Sequence, residues 1–218
     1  MTNVKTSPPA NYVILVGLYI TILLMAILNG VKLCNVFGQE FDGGLLPYAF
    51  TFLLLDTVRE VYGRSHAIRM VVAGFFALIT MSIVNALVML IPASSAWELA
   101  KEHQAIMGFG LRITLAGITT FIVTQSLDLF LFSWVREKMQ GRHLWLRYLI
   151  SNVFGGGLDA FIFTFIAFYG VFPVVPVMIS AWIVRTVFAV AGTPVVYMLV
   201  AMTRSWDAEK LIGKIFKD

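Results

Sequence analysis

The sequence predicts an all-α integral membrane protein, a single six-helix transmembrane domain that occupies residues 1–218. Of its 218 residues 59% are hydrophobic and only 13% are charged, whereas a soluble domain is about half apolar and about a quarter charged. Mean hydropathy is +0.86. Six long apolar segments are separated by short polar connections, and about 20 apolar residues suffice for one helix to cross a bilayer.

The predicted spans follow the apolar segments in chain order. The first segment is too long for a signal peptide and lacks a cleavage pattern, so it is interpreted as a membrane helix. The second is the weakest, because the stretch from Asp56 to Glu60 charges its last third. The fourth exceeds the required length and is expected to tilt or to extend past the bilayer. The spans cover residues 13–31, 46–63, 68–91, 106–135, 146–170 and 175–202.

Basic residues alternate between the connections and predict the orientation of the chain. The connections after the second and fourth spans, and the C-terminal tail, are rich in Lys and Arg, while the other connections carry few. Because cytoplasmic loops carry this excess, both termini are predicted to be short cytoplasmic tails. The net charge of +4 then reflects membrane orientation, so nucleic acid is not expected as a partner.

The sequence lacks the motifs of disulfide-bonded proteins, of metal sites and of several common enzyme classes. The single cysteine, Cys34, excludes an intramolecular disulfide and fits no zinc site. The three histidines lie in predicted loops, and the sequence contains no Walker motif, HExxH pattern or GxSxG-like stretch. The sequence therefore predicts neither an enzyme nor a bound metal or cofactor.

Polar side chains inside the predicted spans are the candidate functional residues. Ionisable groups within membrane helices are rare and usually face a cavity or a partner. At 1.5 Å per residue, Asp159 lies ~20 Å from the cytoplasmic side and Arg185 ~15 Å from the outer side, so both are predicted near the midplane. Several helices contribute such groups, which favours a transporter. The candidates are Asp56, Glu60, Arg112, Gln125, Asp128, Ser151, Asp159 and Arg185.

Structural roles for the same residues stay open at this point. Asp159 and Arg185 could form an ion pair that only neutralises two buried charges. Asp56, Arg59 and Glu60 could form a salt-bridged helix end, and Gln125 could join two helices by a hydrogen bond. The glycines at 155–157 either permit close helix packing or let a flat ligand approach the backbone.

Four stretches in order resemble the queuosine precursor transporter family, also called the vitamin uptake transporter family. They are PYAFTFLLLDTVREVYGRSHA, LRITLAGITTFIVTQSLDLFLF, WLRYLISNVFGGGLDAFIFTFIAFYG and, after Arg185, PVVYML, within roughly residues 29–200. The resemblance implies a six-span bacterial or archaeal inner-membrane protein, similar in architecture to the substrate-binding components of energy-coupling-factor transporters. The family pattern more often has Lys where this chain has Arg185, and Arg does not lose its proton.

The resemblance also implies the substrates, 7-cyano-7-deazaguanine and its 7-aminomethyl form, which are precursors of a modified tRNA base. All eight candidates occupy positions that match the family motifs. One carboxylate can accept both N–H donors of a guanine edge, and Asp159 is the predicted one, with Asp56 and Asp128 as rivals. Gln125 or Arg185 would donate to the ring oxygen. An aromatic platform would come from Phe154, Phe161, Phe163 or Trp182.

Partners follow from the same interpretation. The chain is expected to bind a small deazaguanine substrate within the lipid bilayer, and a homo-oligomer stays open. An ATP-driven energising module is not indicated, because the first span lacks the Ala-x-x-x-Ala pattern of subunits that dock on one. The alternatives are nevertheless a substrate-binding subunit of an ATP-energised vitamin or purine uptake system and, in another class, a membrane enzyme or scaffold.

Overall fold

Six α-helices and one β-hairpin make up the computed structural model, which describes residues 9–36, 38–138 and 144–205. Within these ranges, the side chains of 36, 39, 125–138, 144–154, 189 and 193 lie outside the description. The elements in chain order are α1 (Ala10–Gly30), β1 (Leu33–Val36), β2 (Gln39–Asp42), α2 (Leu45–Tyr62), α3 (Arg64–Met89), α4 (Ala100–Lys138), α5 (Leu144–Phe168) and α6 (Val174–Ser205).

Each predicted span coincides with one helix, and the largest shift in a boundary is at α4, which begins at Ala100. Within the described ranges, four helical segments are long and apolar enough to cross a membrane, and α5 adds a shorter apolar segment, Gly155–Phe168. The chain is therefore a multi-pass α-helical membrane protein. The four segments are Ala10–Gly30, Arg64–Met89, Ala100–Thr124 and Val174–Gly192.

The hairpin between α1 and α2 is an element that the sequence analysis did not identify. Its strands are antiparallel, and Leu33 pairs with Asp42 at the open end. The side-chain oxygen of Asn35 accepts a hydrogen bond of 3.1 Å from the backbone N–H of Gly38 in the turn. Strands of four residues are too short for an alternating pattern to stand out from a polar connection.

The helices enclose the region where the hairpin folds back. α5 packs against α4 and α6, while α2 packs against α1, α3 and α6. The second strand, β2, also packs against α6. Phe41 of β2 shares an apolar cluster with Leu45 of α2, Ala160 of α5 and Ala181 of α6, so the end of the hairpin meets all three helices.

The first helix contributes five buried side chains to the larger of the two apolar clusters among the described residues. Its buried side chains recur every three or four residues, which places them on one helical face; they are Tyr12, Leu15, Tyr19, Leu23 and Ile27. Gly44, at the start of α2, lets α2 approach α1 closely. A Cβ atom there would clash with the backbone of Ala26 and would lie 3.0 Å from the Cα atom of Gly30.

Candidate functional site

A buried ion pair between Asp159 on α5 and Arg185 on α6 forms the centre of the candidate site. The Nη1 group of Arg185 donates a hydrogen bond to Oδ2 of Asp159. Each side chain is only 9% exposed. Because a buried charge is very costly without a partner, the two residues depend on each other.

The glycine run places this part of α5 close to α6. A Cβ atom at Gly157 would lie 3.1 Å from Nε1 of Trp182, one turn before Arg185 on α6. A Cβ atom at Gly156 would meet nothing within 4 Å. Close packing is therefore found at Gly157, while the space beside Gly156 is open.

Tyr48, near the start of α2, forms the aromatic wall of the site. The guanidinium carbon of Arg185 lies 5.4 Å from the centroid of the Tyr48 ring. An Arg group at this distance is attracted to the ring by a cation–π interaction. The contact brings α2 to the same point as α5 and α6.

Asp42, the last residue of β2, is a second carboxylate beside Arg185. It is only 4% exposed, and Arg185 is its electrostatic partner. A side chain at Gly30 would contact its Oδ1 atom at 3.8 Å and Ile113 at 3.3 Å, so α1 and α4 approach it as well. The hairpin thus places the Asp42 carboxylate in the interior of the helical bundle.

Burial and the neighbouring polar groups have opposite effects on the pKa of Asp42. Asp42 lies in the hairpin, outside the membrane-crossing helices. Burial raises the pKa of Asp42 to about 6, although the Arg185 guanidinium and the backbone N–H groups of Gly44 and Leu45 act to lower it. Desolvation of the charged form therefore outweighs the attraction.

Two carboxylates and one guanidinium leave an excess of one negative charge when all three groups are ionised. The Nε atom of Arg185 is buried and has no hydrogen-bond partner among the described residues. An unpartnered buried donor is expensive. The arrangement can therefore offer one guanidinium N–H and carboxylate oxygens to a planar polar ligand.

Three other candidate residues lie away from this cluster. Glu60 is 67% exposed and lies 3.6 Å from Arg204 at the opposite end of the bundle. Arg112 on α4 donates from Nε to the carbonyl of Ile166 and from Nη2 to that of Tyr169, at 2.9 and 2.6 Å. Asp56 is half-buried on α2, two turns beyond Tyr48.

The remaining candidates are Gln125 and Asp128 on α4 and Ser151 on α5, and their side chains lie outside the described residues. Among the aromatic candidates, Phe154 is also outside that description. Phe161 is 49% exposed on the outer face and stacks with Phe165, whereas Phe163 packs in the apolar core. Trp182 is the one that lies beside the glycine run.

Sequence reasoning missed Asp42 and Tyr48. A carboxylate in a polar connection attracts no attention, because only its long-range packing on α6 makes it buried. The available signal was the stretch FDGGLLPY, in which two glycines follow the carboxylate directly before an apolar helix. Such glycines indicate that a backbone approaches closely, as Gly44 does here.

A family profile and individual related proteins both match this chain, and both indicate a transporter family. The profile of the family described as "Putative vitamin uptake transporter" matches residues 42–199. A protein of Bacillus subtilis strain 168 named "Probable queuosine precursor transporter" is 30% identical over 188 residues, which cover 83% of this chain and 82% of that protein.

Two further relatives are more distant. A protein of the same name from Haemophilus influenzae is 27% identical over 73% of this chain and 64% of its own length. The "Queuosine precursor transporter" of Escherichia coli K12 is 26% identical over 62% of this chain and 58% of its own length. No solved structure matches the chain significantly. The family is one of transporters and not of enzymes, and this chain belongs to the vitamin uptake transporter family.

Proposed function

We propose that this protein imports queuosine precursors, 7-cyano-7-deazaguanine or 7-aminomethyl-7-deazaguanine or both, across the inner membrane for tRNA modification. The observation that carries the proposal is a buried Asp159–Arg185 pair in a chain that is 30% identical to a protein named as a queuosine precursor transporter. Buried ionisable groups inside a membrane bundle are typical of a substrate pathway.

The chemistry of a deazaguanine fits the polar cluster. Its N1–H and 2-amino groups are adjacent donors that one carboxylate accepts together, and Asp159 supplies that carboxylate. The free Nε–H of Arg185 donates to the ring oxygen. Tyr48 lies against Arg185 and Trp182 lies beside Gly157, and an aromatic face that stacks on a base contributes about 1–3 kcal/mol.

The substrate pathway in this proposal centres on Asp159 and Arg185. The proposal also assigns to this pathway Asp56 of α2, Gln125 and Asp128 of α4, and Ser151 of α5. Glu60 and Arg112 have partners elsewhere and support the bundle instead. Of the eight residues that the family resemblance implies, the proposal therefore assigns six to the substrate pathway and two to the support of the bundle.

The proposed architecture is one domain over residues 1–218 in which all six helices cross the membrane. Both termini are cytoplasmic, following the excess of basic residues in the even connections. The bundle is similar to the substrate-binding components of energy-coupling-factor transporters, but works without an energising module. Reporter fusions at each terminus test the orientation, because a terminus outside the cytoplasm would contradict it.

Complementation tests the proposed function. The chain is expressed in a bacterium that cannot synthesise the precursors, and queuosine in tRNA is measured at low external precursor. We expect queuosine to be restored by the wild-type chain and not by Asp159→Asn at equal membrane abundance. The absence of rescue by abundant wild-type protein would refute the proposal.

A further inference from the structure

Among the residues that the structure describes, the site holds two carboxylates, Asp42 and Asp159, and one guanidinium, that of Arg185. Asp159 is paired with Arg185, and Asp42 is the second carboxylate beside the same guanidinium. Asp42 is 4% exposed and Asp159 is 6% exposed, so water screens neither of them. An uncompensated negative charge at this depth is costly, and a proton would remove it.

We propose that Asp42 binds a proton together with the substrate, so that uptake is a proton–substrate symport. The inference rests on the proposed function and adds how transport is energised. The proton comes from the external medium and is released to the cytoplasm with the substrate. The step forms an O–H bond at the Asp42 carboxyl and breaks it again on the other side, so the proton moves one positive charge inward in each cycle, in addition to any charge on the substrate.

The geometry explains why the proton and the substrate bind together. With Asp42 neutral, Arg185 pairs with Asp159 alone, and its Nε–H stays available for the substrate. An ionised Asp42 would attract the same guanidinium and compete with the substrate for that N–H group. Substrate binding therefore favours protonation of Asp42, and by reciprocity protonation favours substrate binding.

Several elements pack around Asp42, and its pairing partner on β1, Leu33, is apolar. Arg185 approaches from α6 and Asp159, through its ion pair with Arg185, from α5. Tyr48 of α2 faces Arg185, and Tyr19 of α1 interacts with Tyr48. On α4, Ile113 is the nearby residue, because Arg112 is directed to the carbonyls of α5. Glu40 precedes Asp42 by two residues on the same strand.

The direction of the pH effect follows from these surroundings. Since burial raises the pKa of Asp42 to about 6, Asp42 is mostly protonated below that pH and mostly ionised above it. An acidic exterior therefore loads the proton, and a near-neutral cytoplasm removes it. If Asp42 merely capped the start of α2 through the N–H groups of Gly44 and Leu45, substrate binding would move no proton.

Calorimetry on the purified full-length protein separates these two roles. Binding of 7-cyano-7-deazaguanine is measured in two buffers with different ionisation enthalpies, at about pH 5 and about pH 7.5. We expect nearly one proton to be taken up per substrate at the higher pH and nearly none at the lower. The apparent Kd should rise by up to about tenfold per pH unit above the pKa.

Variants then assign the proton to Asp42. Asp42→Asn should bind substrate with no proton uptake at either pH, and in proteoliposomes it should equilibrate substrate without accumulating it against a gradient. Glu40→Gln removes a carboxylate from the same strand and should keep the behaviour of the wild-type protein. Asp42→Glu, which retains a titrating group, should keep proton uptake and serves if the Asn variant does not fold.

The outcomes distinguish this inference from the proposed function. Wild-type protein that binds no deazaguanine would overturn the proposed function. Wild-type protein that binds and transports it with no proton uptake, and whose accumulation a protonophore leaves unchanged, would overturn the symport alone. Full proton uptake by folded Asp42→Asn would also overturn it, because another group would then carry the proton.

Discussion

Arg185 on α6 is paired with Asp159 on α5, and this one contact ties together two helices that meet across the glycine run. The same guanidinium faces the Tyr48 ring from α2 and lies beside Asp42 of the hairpin. Four elements therefore converge on a single cation. Changing each group should have a different effect, because Asp159 forms the ion pair with Arg185, whereas Asp42 interacts with it electrostatically.

Asp159→Asn should abolish or greatly weaken uptake while the protein still inserts and folds. The variant removes the paired carboxylate, but Asp42 remains to compensate Arg185. A hydrogen bond to a charged group is worth about 1.5–3 kcal/mol, which corresponds to a loss of about 10- to 100-fold in substrate affinity. Uptake of labelled precursor into cells, normalised to membrane abundance, measures the effect.

Glu60→Gln is the matched control for that experiment. It removes a carboxylate from an exposed ion pair with Arg204, and such pairs contribute only about 0–1 kcal/mol. We expect uptake and thermal stability close to those of the wild-type protein. If Asp159→Asn retained full uptake, the edge-reading carboxylate would have to be another one, Asp56, Asp128 or Asp42.

Arg185→Lys should remain folded and active with weaker substrate binding. Lys keeps the positive charge between the two carboxylates, but it lacks the planar fork and the Nε–H donor of Arg. Arg185→Leu, in contrast, leaves both buried carboxylates without a counter-charge, and removing one partner of a buried pair costs about 3–5 kcal/mol. Thermal unfolding in detergent and the KM of uptake separate the two variants.

One outcome for the two Arg185 variants would contradict this expectation. A Leu variant as stable and as active as the Lys variant would show that the charge at position 185 is dispensable. The site would then have to be sought elsewhere along α4 and α5.

Arg112→Ala should destabilise the protein without a specific effect on substrate affinity. Arg112 satisfies two backbone carbonyls at the end of α5, where a cation also interacts favourably with the helix dipole. Leaving such acceptors unpartnered costs about 1–3 kcal/mol, and each kcal/mol lowers Tm by about 2–4 °C at this chain length.

Arg112→Lys retains the cation near the helix end and should fall between the Ala variant and the wild-type protein in Tm. Uptake is measured on the same preparations, with KM compared at equal amounts of folded protein. An unchanged Tm with a strongly raised KM would instead place Arg112 in the substrate pathway.

The helices were predictable from the sequence because hydropathy is a local signal, and the boundaries of α1, α2 and α5 differ from the predicted spans by three residues or fewer. The meeting of Asp159 with Arg185 was also within reach, since counting residues from opposite membrane faces gave similar depths. Both deductions use only the rise of a helix and the order of the chain.

The burial of Asp42 could not be predicted from the sequence, because it does not follow from a local signal. Its burial depends on a hairpin that folds back onto α6, which lies far along the sequence. The contacts of Glu60 and Arg112 were equally hidden, because their partners lie far away along the sequence: Arg204 on α6, and the carbonyls of Ile166 on α5 and of Tyr169 just after it. Motif position singled out these residues, but only tertiary packing shows which groups each of them contacts.

The adjacent glycines 156 and 157 should respond differently to the same substitution. Gly156→Ala places a methyl group in open space, and Ala is favoured over Gly in a helix by about 0.5–1 kcal/mol. Tm should therefore rise or stay unchanged, with uptake preserved. This variant is the control for its neighbour, because helix propensity changes equally in both.

Gly157→Ala places its methyl group 3.1–3.4 Å from the indole ring of Trp182, so that ring must move. Trp182 lies one turn before Arg185 on α6, and its displacement should disturb the ion pair with Asp159. We expect uptake to fall several-fold relative to Gly156→Ala, and the gain in Tm to be smaller or absent. Equal uptake and equal Tm for the two variants would mean that contact between Gly157 and Trp182 does not position the site.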